Sequence, residues 1–218
     1  MRAGTYYRYE LLKKLGIFKN VKKESKILDI GGFDGFTLSK LNGSKKVLID
    51  PDARKISKDI IYLKNDFFKY KFKRQRFDFI FSLDVLEHVP KEKEFEYFSK
   101  IYLLLEKKGV AIITTPSKDI KTCPNFLRRW IGRNWGHYKC LGYSKEELKV
   151  LLAKNNIKNY EIYSYHSRYY LNLYLLTRFL QIFLPENLFQ KLLLKIANKD
   201  AKLDENISRG YYFIRILK

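Results

Sequence analysis

Cysteine is scarce in this chain: Cys123 and Cys140 are the only two among 218 residues. Two thiols build no disulfide framework, and no Cys-x-x-Cys pair is present to grip a metal. A reducing cytosol is therefore the expected compartment. A long apolar run is missing as well. The most apolar stretch, 169–183, contains Arg178 and is stopped by Pro185, so it is too short and too interrupted to span a bilayer. The start, Met1-Arg2-Ala3-Gly4-Thr5-Tyr6-Tyr7, lacks the apolar core of an export signal. There is no internal repeat, no low-complexity tract and no linker, so a single domain over 1–218 is expected, large enough to bury a substantial core. Acidic residues are outnumbered, 23 against 44 Lys and Arg, which leaves a net charge of +21 and a pI near 9.8. Such a charge attracts the phosphates of nucleic acid, anionic lipid or a phosphorylated substrate. Lysine is spread along the whole chain, so a biased composition accounts for the charge as well as a polyanionic partner does.

What is present begins with Lys26-Ile27-Leu28-Asp29-Ile30 and the turn Gly31-Gly32-Phe33-Asp34-Gly35. The apolar run reads as a strand buried on both faces. It delivers Asp29 and a glycine-rich turn to the carboxyl end of a sheet, where open α/β sheets bind ligands. Gly31, Gly32 and Gly35 permit unusual dihedrals and close approach of backbone to ligand. A dinucleotide fingerprint fails in both frames, because it needs glycine at Phe33 and Phe36, or at Asp34 and Thr37. A Walker A loop fails for want of Gly-Lys-Ser/Thr. The pattern left is acidic-x-Gly-x-x-x-Gly, carried by Asp29, Gly31 and Gly35. A second short strand, Val47-Leu48-Ile49, ends on Asp50, whose carboxylate suits the two hydroxyls of a ribose. Further strands are expected at 60–63, 77–83, 109–116, 159–165 and 210–217, with helices at 8–15, 90–106 and 144–154. Ser144 and Glu147 form a capping box at the start of the last of these. Alternating strands and helices imply an α/β fold with a mainly parallel sheet and helices on both faces.

In order and spacing these segments resemble the class I S-adenosylmethionine-dependent methyltransferases. Their motif I is usually acidic-x-Gly-x-Gly-x-Gly, and Phe33 replaces the middle glycine here. The run 77–89, FDFIFSLDVLEHV, looks like the motif IV region of the small-molecule and lipid-type members. A Gly-started strand ending in Thr115-Pro116 and the series Gly136-His137, Tyr143-Ser144, Glu146-Glu147-Leu148 are similar to that family's later segments. The likeness covers 26–156 and returns weakly at the C-terminus. It implies a Rossmann-like, seven-stranded sheet of order 3-2-1-4-5-7-6 with an antiparallel last strand. It also implies S-adenosylmethionine as cofactor, held by Asp29, Gly31, Gly32, Gly35, Asp50 and Ser82. Asp66 would take the adenine amino group, and Phe67 would lie near the ring.

Methyl transfer is an in-line displacement at a sulfonium carbon, so the protein mainly aligns the reactants and excludes water. A base is needed only when the acceptor must lose a proton. His88 and His137 are the candidate bases. Alternatively His88, with Glu87, organises the loop after strand four, and His137 merely positions its own loop. Asp84, Glu87 and His88 have the acidic, acidic, His spacing of some quinone-pathway relatives that hold a divalent metal, although no metal is expected here. His166 has no supporting context. Cys123 reads as an ordinary loop residue, and the Asn/Asp-Pro-Pro-Tyr/Phe motif of base-amine methyltransferases is absent. Phe126, Arg128, Arg129, Trp130, Arg133 and Trp135 read as a basic-aromatic loop that either binds an anionic or stacking substrate or covers the site.

The segment 168–198 reads as a helical hairpin inserted before the last strand. It is a cap packed on the domain, a lid over an apolar substrate, or a membrane-surface patch flanked by Lys191, Lys195 and Lys199. The expected activity is methyl transfer to a small-molecule, glycan or lipid-linked acceptor at oxygen, in the cytoplasm, with an anionic membrane surface as a candidate partner. RNA methylation is an alternative that rests on charge without an RNA-binding module. A non-catalytic, membrane-associated domain that kept the fold is another, motivated by Phe33.

Overall fold

The computed structural model describes residues 3–120, 124–165, 182–201 and 210–218, with 173, 176, 180, 203 and 204 between them. A helix α1 (Ala3–Lys14) precedes strand β1 (Lys26–Ile30), the one-turn helix α2 (Phe36–Ser39), β2 (Lys45–Ile49), β3 (Ile60–Leu63) and β4 (Phe77–Leu83). Two 3-10 turns, Leu86–His88 and Lys91–Lys93, lead into α3 (Glu94–Leu104). Then come β5 (Leu105–Pro116), α4 (Asn125–Asn134), α5 (Lys145–Lys154), β6 (Tyr160–Tyr165), α6 (Glu186–Asp200), β7 (Leu203–Asp204) and β8 (Tyr211–Leu217).

The strands form one sheet of order β3-β2-β1-β4-β5-β8-β6-β7. Strands β1 to β5 pair in parallel, and β8 lies antiparallel between β5 and β6. This is the expected 3-2-1-4-5-7-6 arrangement with the two-residue β7 added at the edge. Both faces are covered, as the near-continuous apolar runs of β1, β2 and β4 require. One face packs Leu28, Ile30, Val47 and Ile80 against Phe98 and Ile101 of α3 and Leu148 and Leu152 of α5. The other packs Ile27, Leu48 and Phe81 with Leu11 and Leu12 of α1 and Phe189 and Leu193 of α6. Tyr7 donates to Asp200 Oδ2 at 2.8 Å, a buried bond that ties α1 to α6.

The capping box at α5 forms as its sequence dictates: Ser144 Oγ accepts from Glu147 N–H, and Glu147 Oε2 accepts from Ser144 N–H. Elsewhere the boundaries move. The first helix starts at Ala3 rather than Arg8, and the predicted 90–106 helix gives its last turn to an early start of β5. The basic-aromatic segment is a helix, α4, and not a loop. The second arm of the expected hairpin is α6, which buries Phe189, Leu193, Ile196 and Ala197 while its lysines face outward. Most of the first arm, His166 and Cys123 lie outside the described residues. Among the described residues, no helix is long and apolar enough to cross a membrane.

Candidate active site

The carboxyl ends of β1 and β2 carry the turn that the sequence singles out. Gly31 (φ 73°) donates its N–H to Ile49 O at 2.9 Å, so pairing with β2 continues one residue past the strand. A Cβ on Gly31 would meet Val85 Cγ2, and one on Gly32 would collide with the Asp29 carboxylate, so these glycines are fixed by the close approach of neighbours. Phe33 adopts the left-handed conformation (φ 51°) that the usual glycine takes freely. Its N–H donates to Asp50 Oδ2 at 3.0 Å, and its carbonyl accepts from Arg54 N–H at 2.9 Å. Its ring lies under the Arg54 guanidinium at 5.3 Å, within cation–π range. The departure from motif I thus keeps the backbone course of the turn and sends the side chain to the β2–β3 connection. A cleft of about 360 Å³, lined by Phe33, Asp52, Ala53, Arg54 and Lys64, opens there.

Asp50 accepts from Asp52 N–H (2.7 Å) with its other oxygen, which holds the carboxylate at the rim. Asp29 lies beneath the turn, 3 % exposed. Burial, and next the charge of Asp50, push its carboxyl up to about 8. Asp66 begins the next loop, where Oδ1 accepts from the N–H groups of Phe68 (2.7 Å) and Lys69 (3.2 Å). Phe67 is buried against Phe68, Phe72 and Tyr97. Ser82 is fully buried and accepts from Tyr97 Oη–H at 2.6 Å. Gly31, Gly32, Gly35 and Asp50 therefore converge on one rim over Asp29, whereas the side chains of Phe67 and Ser82 point into the core beneath it.

The ends of β4 and β5 carry a second constellation. Asp84 sits at φ 56° directly after β4. Its N–H donates to Thr114 O, and Thr114 Oγ1 donates to Asp84 Oδ1 at 2.7 Å. Its other oxygen pairs with Arg8, which reaches over from α1. Burial is the largest influence on Arg8 and opposes its charge, but Asp84, Tyr165, Tyr211 and Glu87 together outweigh it, so the guanidinium stays protonated. Nothing in the motifs singles out Arg8, because its partner is remote in sequence.

Glu87 is 2 % exposed and accepts from Thr115 Oγ1–H at 3.2 Å. Burial, and then Asp84, raise its pKa well above the usual carboxylate range. His88 Nδ1 lies 3.3 Å from Gly136 O. A carbonyl cannot donate, so Nδ1 carries the proton and Nε2 keeps its lone pair. Burial lowers the His88 pKa. The His137 ring meets His88 edge-on at 4.5 Å, and burial, followed by His88 itself, lowers its pKa to about 4. Both imidazoles are therefore neutral at physiological pH.

This pairing depends on Arg128. From α4 its guanidinium donates to the carbonyls of Ser117, Lys118, Ile120 and Leu141 at 2.7–3.0 Å. Those bonds pin the helix so that Gly136 and His137 arrive over His88, and they commit Arg128 to structure rather than to a substrate. Glu87, His88 and His137 place one ligand atom each within 4.8 Å of one another. Asp84, named with Glu87 and His88 from sequence, is instead engaged by Arg8 and Thr114. A cation at this cluster would compete with a proton that burial and Asp84 make Glu87 hold more tightly than a free carboxyl does.

Residues 4–162 match the family model described as a methyltransferase domain. The chain belongs to that family. Its fold is the Rossmann-like fold of the class I S-adenosylmethionine-dependent methyltransferases. No curated protein matches it in sequence. Among solved structures it is similar to phosphoethanolamine N-methyltransferase 2 of Haemonchus contortus, a complex with S-adenosylhomocysteine, at 17 % identity and TM-score 0.64. That match covers 95 % of this chain but 52 % of the other, so the chain spans about half the nematode protein. A possible histamine N-methyltransferase of Thermotoga maritima aligns at 17 % identity and TM-score 0.62, over 98 % of this chain and 91 % of that one. A cyclopropane synthase of Mycobacterium tuberculosis aligns at 15 % and 0.59, over 95 % and 82 %. At these identities the likeness is one of fold, and the three proteins differ in what they modify.

Proposed function

We propose that this methyltransferase uses S-adenosylmethionine to methylate an oxygen of a small-molecule, glycan or lipid-linked acceptor. The residues at the β1–β2 rim fit that cofactor. The close contacts at Gly31 and Gly32 require residues without a side chain there, so a ligand at this rim would lie against the backbone of the turn. Asp50 offers carboxylate oxygens to a ribose diol. Asp66 begins the loop on the adenine side. When bound, S-adenosylmethionine supplies an electrophilic methyl group on a positively charged sulfur.

The observation that carries the oxygen assignment is the contact of His88 Nδ1 with Gly136 O, which leaves Nε2 free to face an acceptor. The Nδ1–H is tied to Gly136 O, and the lowered pKa of His88 leaves Nε2 as an unprotonated base at neutral pH. A hydroxyl acceptor must lose its proton as the new bond forms, and Nε2 takes it. His137 meets the His88 ring edge-on from the α4 side, and the ring stays open to solvent and so to an acceptor. Arg8 and Asp84 close the opposite wall as an ion pair and leave no uncompensated charge. The test is methyl transfer from radiolabelled S-adenosylmethionine to hydroxyl-bearing compounds, set beside amine-bearing analogues. Labelled methyl ethers, lost in His88→Gln, are expected. Labelled amines with full activity in His88→Gln would overturn the oxygen assignment.

A further inference from the structure

Surface helices ordinarily turn an apolar stripe inward and a polar face to water. Helix α4 is built the other way round. Its inward positions are Arg128, whose guanidinium is spent on four loop carbonyls, and Gly132, packed against Cys140. These are the two buried residues of the helix. At 3.6 residues per turn, Trp130 lies opposite that pair, with Phe126 and Leu127 beside it. Phe126 is 75 % exposed and Trp130 63 %, and Tyr138 just beyond the helix is 69 % exposed. Arg129 and Arg133, one turn apart and exposed, line one flank of the same face. The packing of α4 therefore leaves its largest apolar side chains in water, next to two cations.

We infer that α4 is an interfacial helix that docks this enzyme on an anionic membrane surface. A convex helix bearing Phe, Leu and Trp, with arginines along its side, matches the headgroup boundary of a bilayer. There the rings sit at the interface, and the cations meet lipid phosphates. The net charge of +21 supplies long-range attraction of the same sign. A groove is what a stacked nucleotide or a peptide strand needs, and the outward face of a helix is the reverse of a groove. The helix ends at Asn134, two residues before Gly136 and His137, the residues against His88, so docking by α4 brings the mouth of the site to the surface. The docking is independent of which atom is methylated, and it assigns the membrane contact to α4 rather than to the segment 168–198.

Of the two tryptophans of the chain, Trp130 lies on this face and Trp135 caps the helix against His137, so the lipid-dependent part of the intrinsic fluorescence is assigned to Trp130 with a Trp130→Phe control. Vesicles of phosphatidylglycerol and phosphatidylcholine are expected to shift the emission to the blue and to co-sediment the protein. Pure phosphatidylcholine does so far less. Phe126→Ser/Leu127→Ser is expected to lose at least 10-fold in partitioning while keeping its melting temperature and S-adenosylhomocysteine affinity. Arg129→Gln/Arg133→Gln should lose the preference for anionic lipid. No blue shift, or co-sedimentation equal in the Phe126/Leu127 variant, would overturn the inference. So would patch-dependent binding of polyuridylate, or a patch-dependent dimer in sedimentation velocity, without vesicle binding.

Discussion

The two ends of the active-site cleft are built by opposite means. At the β1–β2 end the working parts are consecutive residues. A strand stops, the backbone turns through Gly31 to Gly35, and Asp50 on the neighbouring strand grips the Phe33 N–H. At the β4–β5 end the parts come from four separate stretches. Arg8 arrives from α1, Asp84 and Glu87 with His88 from the loop after β4, Thr114 and Thr115 from β5, and His137 from beyond α4. The first end is backbone geometry and the second is side-chain electrostatics. We propose that the cofactor binds at the first and the acceptor at the second.

The comparison can be broken from either end. The largest effect is expected from Gly32→Ala, whose Cβ would occupy the place of the Asp29 carboxylate. S-adenosylhomocysteine affinity measured by calorimetry should fall by about 100-fold or more, roughly 3 kcal/mol, while Arg8, Asp84 and the histidine pair are undisturbed. His88→Gln should do the reverse and lower kcat by about 10²–10⁴, the range typical of a lost general base, with cofactor affinity unchanged. Because burial lowers the His88 pKa from its ordinary 6.5, the acid limb of kcat/KM in the wild type should lie below that pH and disappear in the variant. A loss of cofactor affinity in His88→Gln would merge the two ends into one.

A separate effect concerns stability. The Asp29 carboxyl titrates near 8 in the folded chain against an ordinary 3.8. The native state therefore holds a proton that the unfolded chain releases, and stability declines as pH rises between those values. Asp29→Asn should flatten that decline in melting temperature from about pH 4 to pH 8. An unchanged slope would mean that Asp29 is not the group responsible.

What was legible in the sequence follows the same division. The motif I turn and the capping box at Ser144 are local patterns, each written in fewer than about a dozen adjacent residues, whereas the strand order comes only with the family resemblance. The pairing of Arg8 with Asp84 and of His88 with His137 depends on how distant segments meet, and no spacing rule carries it. Helix α4 was unreadable for a different reason. Periodicity detects a helix through the stripe it buries, and α4 buries an arginine and a glycine instead. Ser82 lies near the end of β4 and Phe67 in the turn after β3, and the packing around Tyr97 turns both side chains inward.

The most direct measurement is calorimetric titration of the protein with S-adenosylhomocysteine, with NAD as control and Asp50→Ala as the paired variant. Saturable binding at micromolar concentration, absent for NAD and lost in Asp50→Ala, is the predicted result. A folded protein that binds no S-adenosylhomocysteine, or a variant that binds it as well as the wild type, would contradict the assignment of the β1–β2 rim.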